Sequence, residues 1–360
     1  MNDRVFNFNP GPATLPLSVL EEAKKEFLNY RGDGLSILEM SHRSKTFEQI
    51  INDAVSDVKK VMGFGEDYSV MFLQGGATGQ FAAVPLNLAL KGKPALYIST
   101  GSWSKKAITE AKKLGIQYEV IASSESDNFS HIPQDFKIKS DASYLHITSN
   151  NTIFGTQWAK YPDTGNIPLV ADMSSDFYCR RFDPKKFGLI YAGAQKNAGP
   201  AGVTIVIIRN DLLERSHDDI PTILNYQIYA ENNSLYNTPN CFGIHIVGLV
   251  MKWILDQGGI DKVEKVNKEK ADMIYKIVDS TDFYRATALE DSRSIMNITF
   301  RLPSEDLEKK FVSEATAARM VGLKGHRSVG GIRASIYNAM SLDGVKVLVG
   351  FMKDFEKKNG

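Results

Sequence analysis

The chain has 360 residues, 43% of them hydrophobic and 24% charged, a composition typical of a globular protein with a large core. Its formal net charge of +1 lacks the excess of basic residues that binds nucleic acid or an anionic membrane surface. Cys179 and Cys241 do not have the spacing of a metal site, and neither a signal peptide nor a membrane span is evident. We therefore expect a cytoplasmic protein that binds no metal, membrane or nucleic acid.

The first part of the chain predicts an extended arm followed by helices. Residues 6–16 are rich in proline and glycine, which favours an extended conformation. A helix is predicted from Ser18, as its N-cap, to about Asn29, and another over Lys45–Met62, where apolar residues recur on one face.

From Tyr68 onward, apolar strands alternate with helices, which predicts an α/β fold with a mainly parallel sheet flanked by helices. Helices are predicted over Gln80–Leu90 and from Trp103 to Leu114. The predicted strands are Tyr68–Leu73, Ala95–Ser99, Tyr118–Ala122, Tyr144–Thr148, Ile167–Ala171, Leu189–Ala192 and Val203–Ile208.

The C-terminal third has a different pattern. It is helical from about Pro239 to Val278 and then mixes helices with a strand over Ile295–Phe300, which predicts a smaller α+β domain. We therefore divide the chain into an N-terminal arm (1–16), a large domain (17–254) and a small C-terminal domain (255–360).

Polar or glycine-rich segments follow several of the predicted strands. In an open α/β sheet, ligands bind beyond the carboxyl ends of the strands, so segments far apart in sequence meet in one crevice. We expect the following residues to line it: Gly75–Gly79, Trp103, Thr152, Asp172, Gln195 and Lys196.

Lys196 is the only charged residue between Gly188 and Ile208, and it lies in a glycine-rich bend between two apolar runs. Burial would lower the pKa of this lysine and leave a free amine, which is the form that attacks a carbonyl. An ordinary exposed loop lysine is the alternative, and this segment by itself does not decide between the two.

The neighbouring segments supply groups that would suit pyridoxal phosphate. Gly75-Gly-Ala-Thr-Gly79 opens a helix and can bind a phosphate through its backbone, although a plain tight turn is the alternative. The segment has neither the P-loop nor the dinucleotide pattern. Asp172 can pair with a pyridine nitrogen or cap a helix, and Trp103 can stack on a ring. An aspartate, a lysine, a phosphate loop and an aromatic ring are the groups that this cofactor needs.

Two His-Arg pairs, His42–Arg43 and His326–Arg327, and the nearby Arg333 suggest an anion site. Arginine binds carboxylates and phosphates through two parallel hydrogen bonds. Surface salt bridges are the alternative, but the glycines around the second pair and Arg333 favour an anion site.

The motifs taken together resemble the phosphoserine aminotransferases, a family of class V, fold-type I pyridoxal-phosphate enzymes. The resemblance covers nearly the whole chain. Its segments are Phe6-Asn-Phe8, Gly11-Pro12, Ser41-His-Arg43, Gly79 to Asn87, Tyr191 to Asn197, Gly199 to Gly202, Tyr236 to Pro239, Lys324 to Arg327 and Gly330 to Met340.

The resemblance implies a role for each candidate residue. Lys196 would carry the cofactor covalently, Asp172 would pair with its ring nitrogen, and Trp103 would stack on the ring. Ala77 and Thr78 would hold its phosphate. The remaining implied roles are Thr152 and Gln195 in the polar shell of the cofactor, Asn237 and Thr238 reaching the phosphate from a second subunit, Arg333 on the substrate α-carboxylate, and His42, Arg43, His326 and Arg327 around its distal anion.

The resemblance also implies a homodimer and a ping-pong reaction in serine biosynthesis. L-Glutamate and 3-phosphohydroxypyruvate would give 2-oxoglutarate and O-phospho-L-serine. The chain departs from some members of the family by having Thr78 in place of an arginine and Pro10 in place of a serine.

Three other functions remain open at this point. A glyoxylate-type aminotransferase shares the aspartate and lysine but does not need two His-Arg pairs. A cysteine desulfurase needs a mobile reactive cysteine, and neither cysteine of this chain lies in an evident exposed loop. A non-catalytic anion-binding protein on the same fold would be expected to lack Lys196 or Asp172.

Overall fold

A computed structural model describes residues 4–360 of the chain. The first three residues of the predicted N-terminal arm lie outside the described residues. The α-helices are α1 (Leu17–Glu26), α2 (Lys45–Met62), α3 (Gly76–Leu88), α4 (Ser102–Lys113), α5 (Tyr226–Glu231), α6 (Cys241–Asp256), α7 (Gly259–Val278), α8 (Glu305–Ala317) and α9 (Leu342–Asn359). Short 3-10 helices cover Tyr30–Gly32, Glu125–Asp127, Pro184–Lys186, Asn210–Arg215, Thr222–Leu224 and Glu290–Ser292.

The strands belong to one large sheet and several small ones. They are β1 (Phe6–Asn7), β2 (Tyr68–Leu73), β3 (Ala95–Ser99), β4 (Tyr118–Ser123), β5 (Tyr144–Thr148), β6 (Asn150–Asn151), β7 (Thr156–Gln157), β8 (Leu169–Asp172), β9 (Leu189–Gly193), β10 (Thr204–Arg209), β11 (Arg285–Ala286), β12 (Asn297–Arg301), β13 (Met320–Val321) and β14 (Ile332–Ser335).

The large sheet has seven strands in the order β2-β10-β9-β8-β5-β3-β4. Strand β10 runs antiparallel to both of its neighbours, while β9, β8, β5, β3 and β4 pair in parallel. The predicted mainly parallel α/β sheet flanked by helices is therefore confirmed. Strands β3, β5 and β8 are buried along their whole length, as expected for a sheet covered on both faces.

Helix α2 illustrates how local sequence determines an element. The Ser44 hydroxyl accepts a hydrogen bond from the Phe47 N–H at 3.2 Å, which caps the first turn. The helix ends at Gly63, whose φ of 80° is the left-handed conformation typical of a helix C-terminus. Its buried residues, among them Ile51 and Ala54, belong to the same apolar cluster as Val247 of α6.

The core contains several apolar clusters, of which two show how the chain is organised. The first joins α2 and α6 to the large sheet. The second contains residues from α7 to α9, together with Phe8 of the N-terminal segment. Strand β1 pairs in parallel with β13, so the N-terminal segment is attached to the C-terminal part of the chain.

Two predicted helix starts are wrong. Helix α1 begins at Leu17 after Pro16, with no side-chain cap, so Ser18 is not its N-cap. Helix α3 begins at Gly76 rather than Gln80, because the left-handed Gly75 already turns the chain into the helix. Among the helices of residues 4–360, none has the length and apolar character needed to cross a membrane.

Candidate active site

Asp172 and Lys196 lie at the carboxyl edge of the large sheet. Asp172, the last residue of β8, pairs with Thr148 of β5 on one side and with Tyr191 of β9 on the other. Lys196 follows β9 by three residues. This edge is the position where α/β sheets bind ligands, because helices and loops there leave a crevice open.

Asp172 is a buried acid without a basic partner. It is 5% exposed, and its Oδ1 accepts a 2.9 Å hydrogen bond from the N–H of Ser174. Burial raises the pKa of the Asp172 carboxyl to about 6, and the Ser174 hydrogen bond only partly opposes this. Within residues 4–360 Asp172 forms no ion pair, so the site has an unmatched place for a cationic group.

Lys196 is half-buried at the centre of the site. Burial and, to a smaller extent, the nearby Arg333 guanidinium lower the pKa of its ammonium to about 8, although Asp172 opposes the shift. Its Nζ donates a hydrogen bond to the carbonyl oxygen of Pro10. A Cβ at Gly11 would lie 2.7 Å from this Nζ, so only glycine fits beside the lysine. Of the two alternatives left open by the sequence, the half-buried position of Lys196 does not fit an ordinary exposed loop lysine.

The start of α3 leaves backbone N–H groups without partners. Gly75 and Gly76 have φ values of 90° and 62°, and no side chain caps the helix. The first N–H groups of an α-helix have no partner within the helix. The amides at Ala77 and Thr78 are therefore available to an anion, and the helix dipole adds to the attraction.

One wall of the site consists of three residues connected by hydrogen bonds: Trp103, Thr152 and Arg333. The indole Nε1 of Trp103 donates to the Thr152 hydroxyl at 3.2 Å, and Arg333 Nη1 donates to the Thr152 carbonyl at 3.2 Å. Arg333 is 6% exposed, and its Nε is buried without a hydrogen-bond partner within the described residues. A buried guanidinium with an unused donor suits a carboxylate ligand.

His326 and Arg327 lie on a hairpin formed by residues 323–333, which we call the anion hairpin. The hairpin is closed by a hydrogen bond from Gly325 N to Gly331 O at 2.8 Å. Burial and the charges of Arg333, Arg327 and Lys106 lower the pKa of His326. The structure therefore brings a cluster of cationic groups to the wall that carries Arg333.

Within residues 4–360, no hydrogen bond joins the remaining candidates to Lys196 or Asp172. His42 and Arg43 lie in the turn before α2, and Asn237 and Thr238 lie in the loop after α5. Asn237 Oδ1 accepts from the Tyr229 hydroxyl at 2.6 Å, and Gln74 Nε2 donates to the Thr238 carbonyl at 3.2 Å. Gln195 is half-buried and directly precedes Lys196.

Three contributors to the site had not been predicted. The Pro10 carbonyl accepts from Lys196 and also from the Tyr337 hydroxyl, the latter at 2.8 Å. Lys106 lies with its Nζ 4.3 Å from the ring centroid of Trp103. The position of Lys106 could have been predicted, because residues three apart on a helix share a face. The Pro10 contact links distant segments and has no local signal.

The groups present fit pyridoxal phosphate. The uncapped start of α3 suits the phosphate, the unpaired Asp172 suits a protonated ring nitrogen, and Lys196 has the lowered pKa that an amine needs to react with an aldehyde. A ligand that is only an anion, such as a nucleotide phosphate, would not need all three of these groups.

Comparison with known proteins decides the family. The model of the class-V aminotransferases matches residues 5–348. Phosphoserine aminotransferase from Desulfosudis oleivorans is 59% identical over 361 residues, covering 100% of both chains. The chain belongs to the class-V aminotransferases, as one of the phosphoserine aminotransferases. The resemblance noted in the sequence is thus confirmed.

Solved structures of this family agree with the fold. Phosphoserine aminotransferase from Bacillus circulans subsp. alkalophilus superposes with a TM-score of 0.98 at 50% identity, covering 100% of both chains. The PLP-bound enzyme from Trichomonas vaginalis superposes with a TM-score of 0.93 at 38% identity, covering 97% of this chain and 100% of that one.

The cysteines of this phosphoserine aminotransferase family member do not suit a desulfurase. Cys179 is completely buried, and burial raises the pKa of its thiol. Cys241 is half-buried as the first residue of α6, and burial raises its pKa as well. A reactive cysteine needs a lowered pKa and an exposed position.

Proposed function

We propose that this chain transfers the amino group of L-glutamate to 3-phosphohydroxypyruvate, giving 2-oxoglutarate and O-phospho-L-serine by a ping-pong reaction in serine biosynthesis. The observation that carries the proposal is the buried Arg333 beside Lys196, with the His326–Arg327 hairpin next to it. This arrangement can bind a substrate that has an anion at each end. Both proposed substrates have an α-carboxylate and a distal carboxylate or phosphate.

Pyridoxal 5′-phosphate is the proposed cofactor. The amides at Ala77 and Thr78 would hold its phosphate, Asp172 its ring nitrogen and Lys196 its aldehyde carbon, with Trp103 against the ring. Thr152 and Gln195 would complete its polar surroundings. When bound, the cofactor supplies an electron sink for the bond that breaks at the substrate Cα.

The protein supplies proton transfer and charge. Since the pKa of Lys196 is about 8, a fraction of the amine is uncharged near neutral pH and can accept the proton of the substrate Cα. Burial raises the pKa of the Asp172 carboxyl to about 6. The carboxyl is therefore still mainly ionised at neutral pH and can hold a proton at the ring nitrogen. Near neutral pH the ionised Asp172 therefore coexists with a fraction of uncharged Lys196.

Two kinds of cationic group would bind the two ends of the substrate. Arg333 would bind the α-carboxylate, which both substrates share, through its guanidinium fork. His326 and Arg327 would bind the distal anion, together with His42 and Arg43. Histidine can add a charge when the more anionic phosphate replaces a carboxylate.

A homodimer would bring Asn237 and Thr238 to the cofactor phosphate of a second subunit. This is supported by large apolar side chains that the described single chain leaves exposed: Leu28 is 82% exposed, Leu38 59% and Tyr236 50%. Leu38 is close in sequence to His42, and Tyr236 directly precedes Asn237. We also propose a cytoplasmic location, which the two free cysteines suit.

We retain the division into an arm (1–16), a large domain (17–254) and a small domain (255–360) as a proposal. The second apolar cluster supports it, because its members come from residues 271–355 and from Phe8 of the arm.

The function is tested by mixing the purified protein and pyridoxal phosphate with each pair of substrates. We expect glutamate to change the visible absorbance of the holoenzyme, and 3-phosphohydroxypyruvate to restore it with formation of O-phosphoserine. Alanine with glyoxylate is the matched comparison. Faster turnover of that pair would contradict the proposal, and binding of anions with no spectral change would indicate a non-catalytic protein.

A further inference from the structure

The anion hairpin is attached to the rest of the protein at its base. The backbones of Arg333 and Leu323 are joined by a 2.8 Å hydrogen bond, and Lys324 pairs with Ile332. Toward the tip, the hairpin is stabilised from within: Gly330 N donates to the carbonyl of His326 at 2.9 Å. Ile332 and Arg333 also pair with Phe300 and Thr299 of β12, but this ladder ends at Ile332 and does not hold the tip that carries His326.

The hairpin has open space on two sides. A cavity of about 520 Å³ separates one side from Phe154 and Thr287, and a cavity of about 710 Å³ separates the other from Val312 of α8. Ser328 and Val329 of the hairpin line both cavities. Leu323 and residues 331–333 are buried, but close packing does not fix residues 324–330 at the tip, whose position depends on directed contacts.

Beyond the ladder with β12 and the Arg333–Thr152 contact, one ion pair binds the hairpin nearer its tip. Arg301, at the end of β12, binds Glu308 of α8 through Nε to Oε1 at 2.5 Å and Nη2 to Oε2 at 3.3 Å. Arg301 Nη1 then donates to the carbonyl of Val329 at 3.0 Å, and Glu308 Oε2 accepts from the N–H of Gly331 at 3.0 Å. The pair thus binds one carbonyl and one amide of the hairpin.

The pair is well suited to fix a backbone. The Glu308 side chain is 8% exposed, so its charge is held by Arg301 and by backbone N–H groups rather than by water. A Cβ at Gly331 would lie 2.8 Å from Arg301 Cδ, and Gly331 has a φ of 73°. Only glycine allows the hairpin to approach the arginine this closely.

We propose that Arg301 and Glu308 are positioning residues that hold His326 and Arg327 where the distal anion of the substrate binds. They would set how strongly the enzyme prefers an amino acid with a distal anion over one without it. The proposal rests on the proposed function, because it assigns the distal anion to this hairpin. Without the ion pair, substrate binding would have to order the hairpin, and this ordering would weaken the binding.

The test compares two amino donors in single half-reactions of the holoenzyme. L-Glutamate and L-norvaline both carry an α-carboxylate, and only glutamate has a distal one. The variants are Glu308→Gln, which removes the charge, and Arg301→Lys, which keeps the charge but loses the fork that reaches Val329. Asp279→Asn is the control, because Asp279 forms a bidentate pair with Arg293 away from the hairpin.

We expect both variants to lower the glutamate-to-norvaline ratio of second-order rate constants about ten-fold, with the norvaline constant unchanged. An equal loss for both donors would leave the ratio unchanged and show that the pair is merely structural. Rate constants that change for neither donor would likewise overturn the proposal. If the unmodified enzyme itself did not prefer glutamate, the proposed function would fail as well.

A second measurement does not use catalysis. Lys324 and Arg327 are exposed residues on the hairpin that trypsin can cleave after. We expect faster cleavage there in Glu308→Gln and Arg301→Lys holoenzyme than in Asp279→Asn, since cleavage follows local opening. Equal cleavage rates would show that the ion pair does not hold the hairpin.

Discussion

The backbone N–H of Asn338 donates a 3.0 Å hydrogen bond to Oδ1 of Asn197, the residue that follows Lys196. Asn197 Nδ2 donates in turn to the Phe177 carbonyl at 3.0 Å, and Asn338 Nδ2 to the Tyr178 carbonyl at 2.8 Å. The bend that carries Lys196 is therefore held by the segment after β14. The position of this lysine depends on how the C-terminal part of the chain packs.

Lys270 of α7 stabilises the segment after β14. It is fully buried, and its Nζ donates to the carbonyls of Ile336, Tyr337 and Met340 at 2.8 to 3.1 Å. We expect Lys270→Met to lower the free energy of unfolding by about 2 kcal/mol, because buried carbonyls lose their donor. Urea denaturation measures this. Lys268→Met, at an exposed position of the same helix, should change stability by less than about 0.5 kcal/mol.

The contribution of Lys270 should also depend on pH. Burial lowers its pKa to about 7 in the folded chain, against an ordinary value near 10.5. Between these values the unfolded chain binds more protons, so the stability contributed by Lys270 rises with pH from about 7 to 10. The difference in stability between the unmodified protein and Lys270→Met should widen over this range, and a constant difference would contradict the lowered pKa.

Replacing Lys196 tests the covalent site. Lys196→Ala should lose both the visible absorbance of lysine-bound cofactor and turnover, because no other amine occupies that position at the end of β9. We expect a rate loss of at least about 10⁴-fold in the assay of phosphoserine formation. Lys186→Ala, at an exposed position, is the control. Retained turnover in Lys196→Ala would rule out the assigned role.

Asp172 should govern cofactor binding. Asp172→Asn keeps the shape of the side chain but removes its charge, so we expect the dissociation constant of the cofactor to rise about 100-fold. Since burial raises the pKa of this carboxyl to about 6, the affinity of the unmodified protein should fall as the pH falls through 6. Titration of cofactor-free protein by fluorescence measures both effects. A similar pH dependence in Asp172→Asn would mean that another group is responsible.

Arg333 should affect both substrates, because both have an α-carboxylate. Arg333→Lys keeps a positive charge but loses the fork, and we expect kcat/KM to fall about 10²-fold for glutamate and for 3-phosphohydroxypyruvate alike. Steady-state kinetics with each substrate varied in turn measures this. Arg285→Lys, exposed on β11, should behave as the unmodified enzyme. A loss confined to one substrate would assign Arg333 to the distal anion instead.

Local patterns predicted much of this fold. The period of apolar residues gave α2 with both of its ends, and the apolar run before Lys196 gave β9. Periodicity works there because each pattern reflects which side of one element is buried. It failed at the start of α3, where the backbone conformation of Gly75 rather than hydrophobicity determines the boundary.

The amino-acid sequence by itself determined the family, the mainly parallel sheet and the residues expected at its carboxyl edge, because motif chemistry and the alternation of strands with helices are properties of local segments. Only the tertiary structure decided how distant segments meet. The Tyr337 hydroxyl reaches the Pro10 carbonyl across 327 positions of sequence, and the Arg301–Glu308 pair reaches the hairpin of His326 from two other elements. Such contacts depend on how whole elements pack against one another, and this packing produces no periodic pattern in the sequence of any single element.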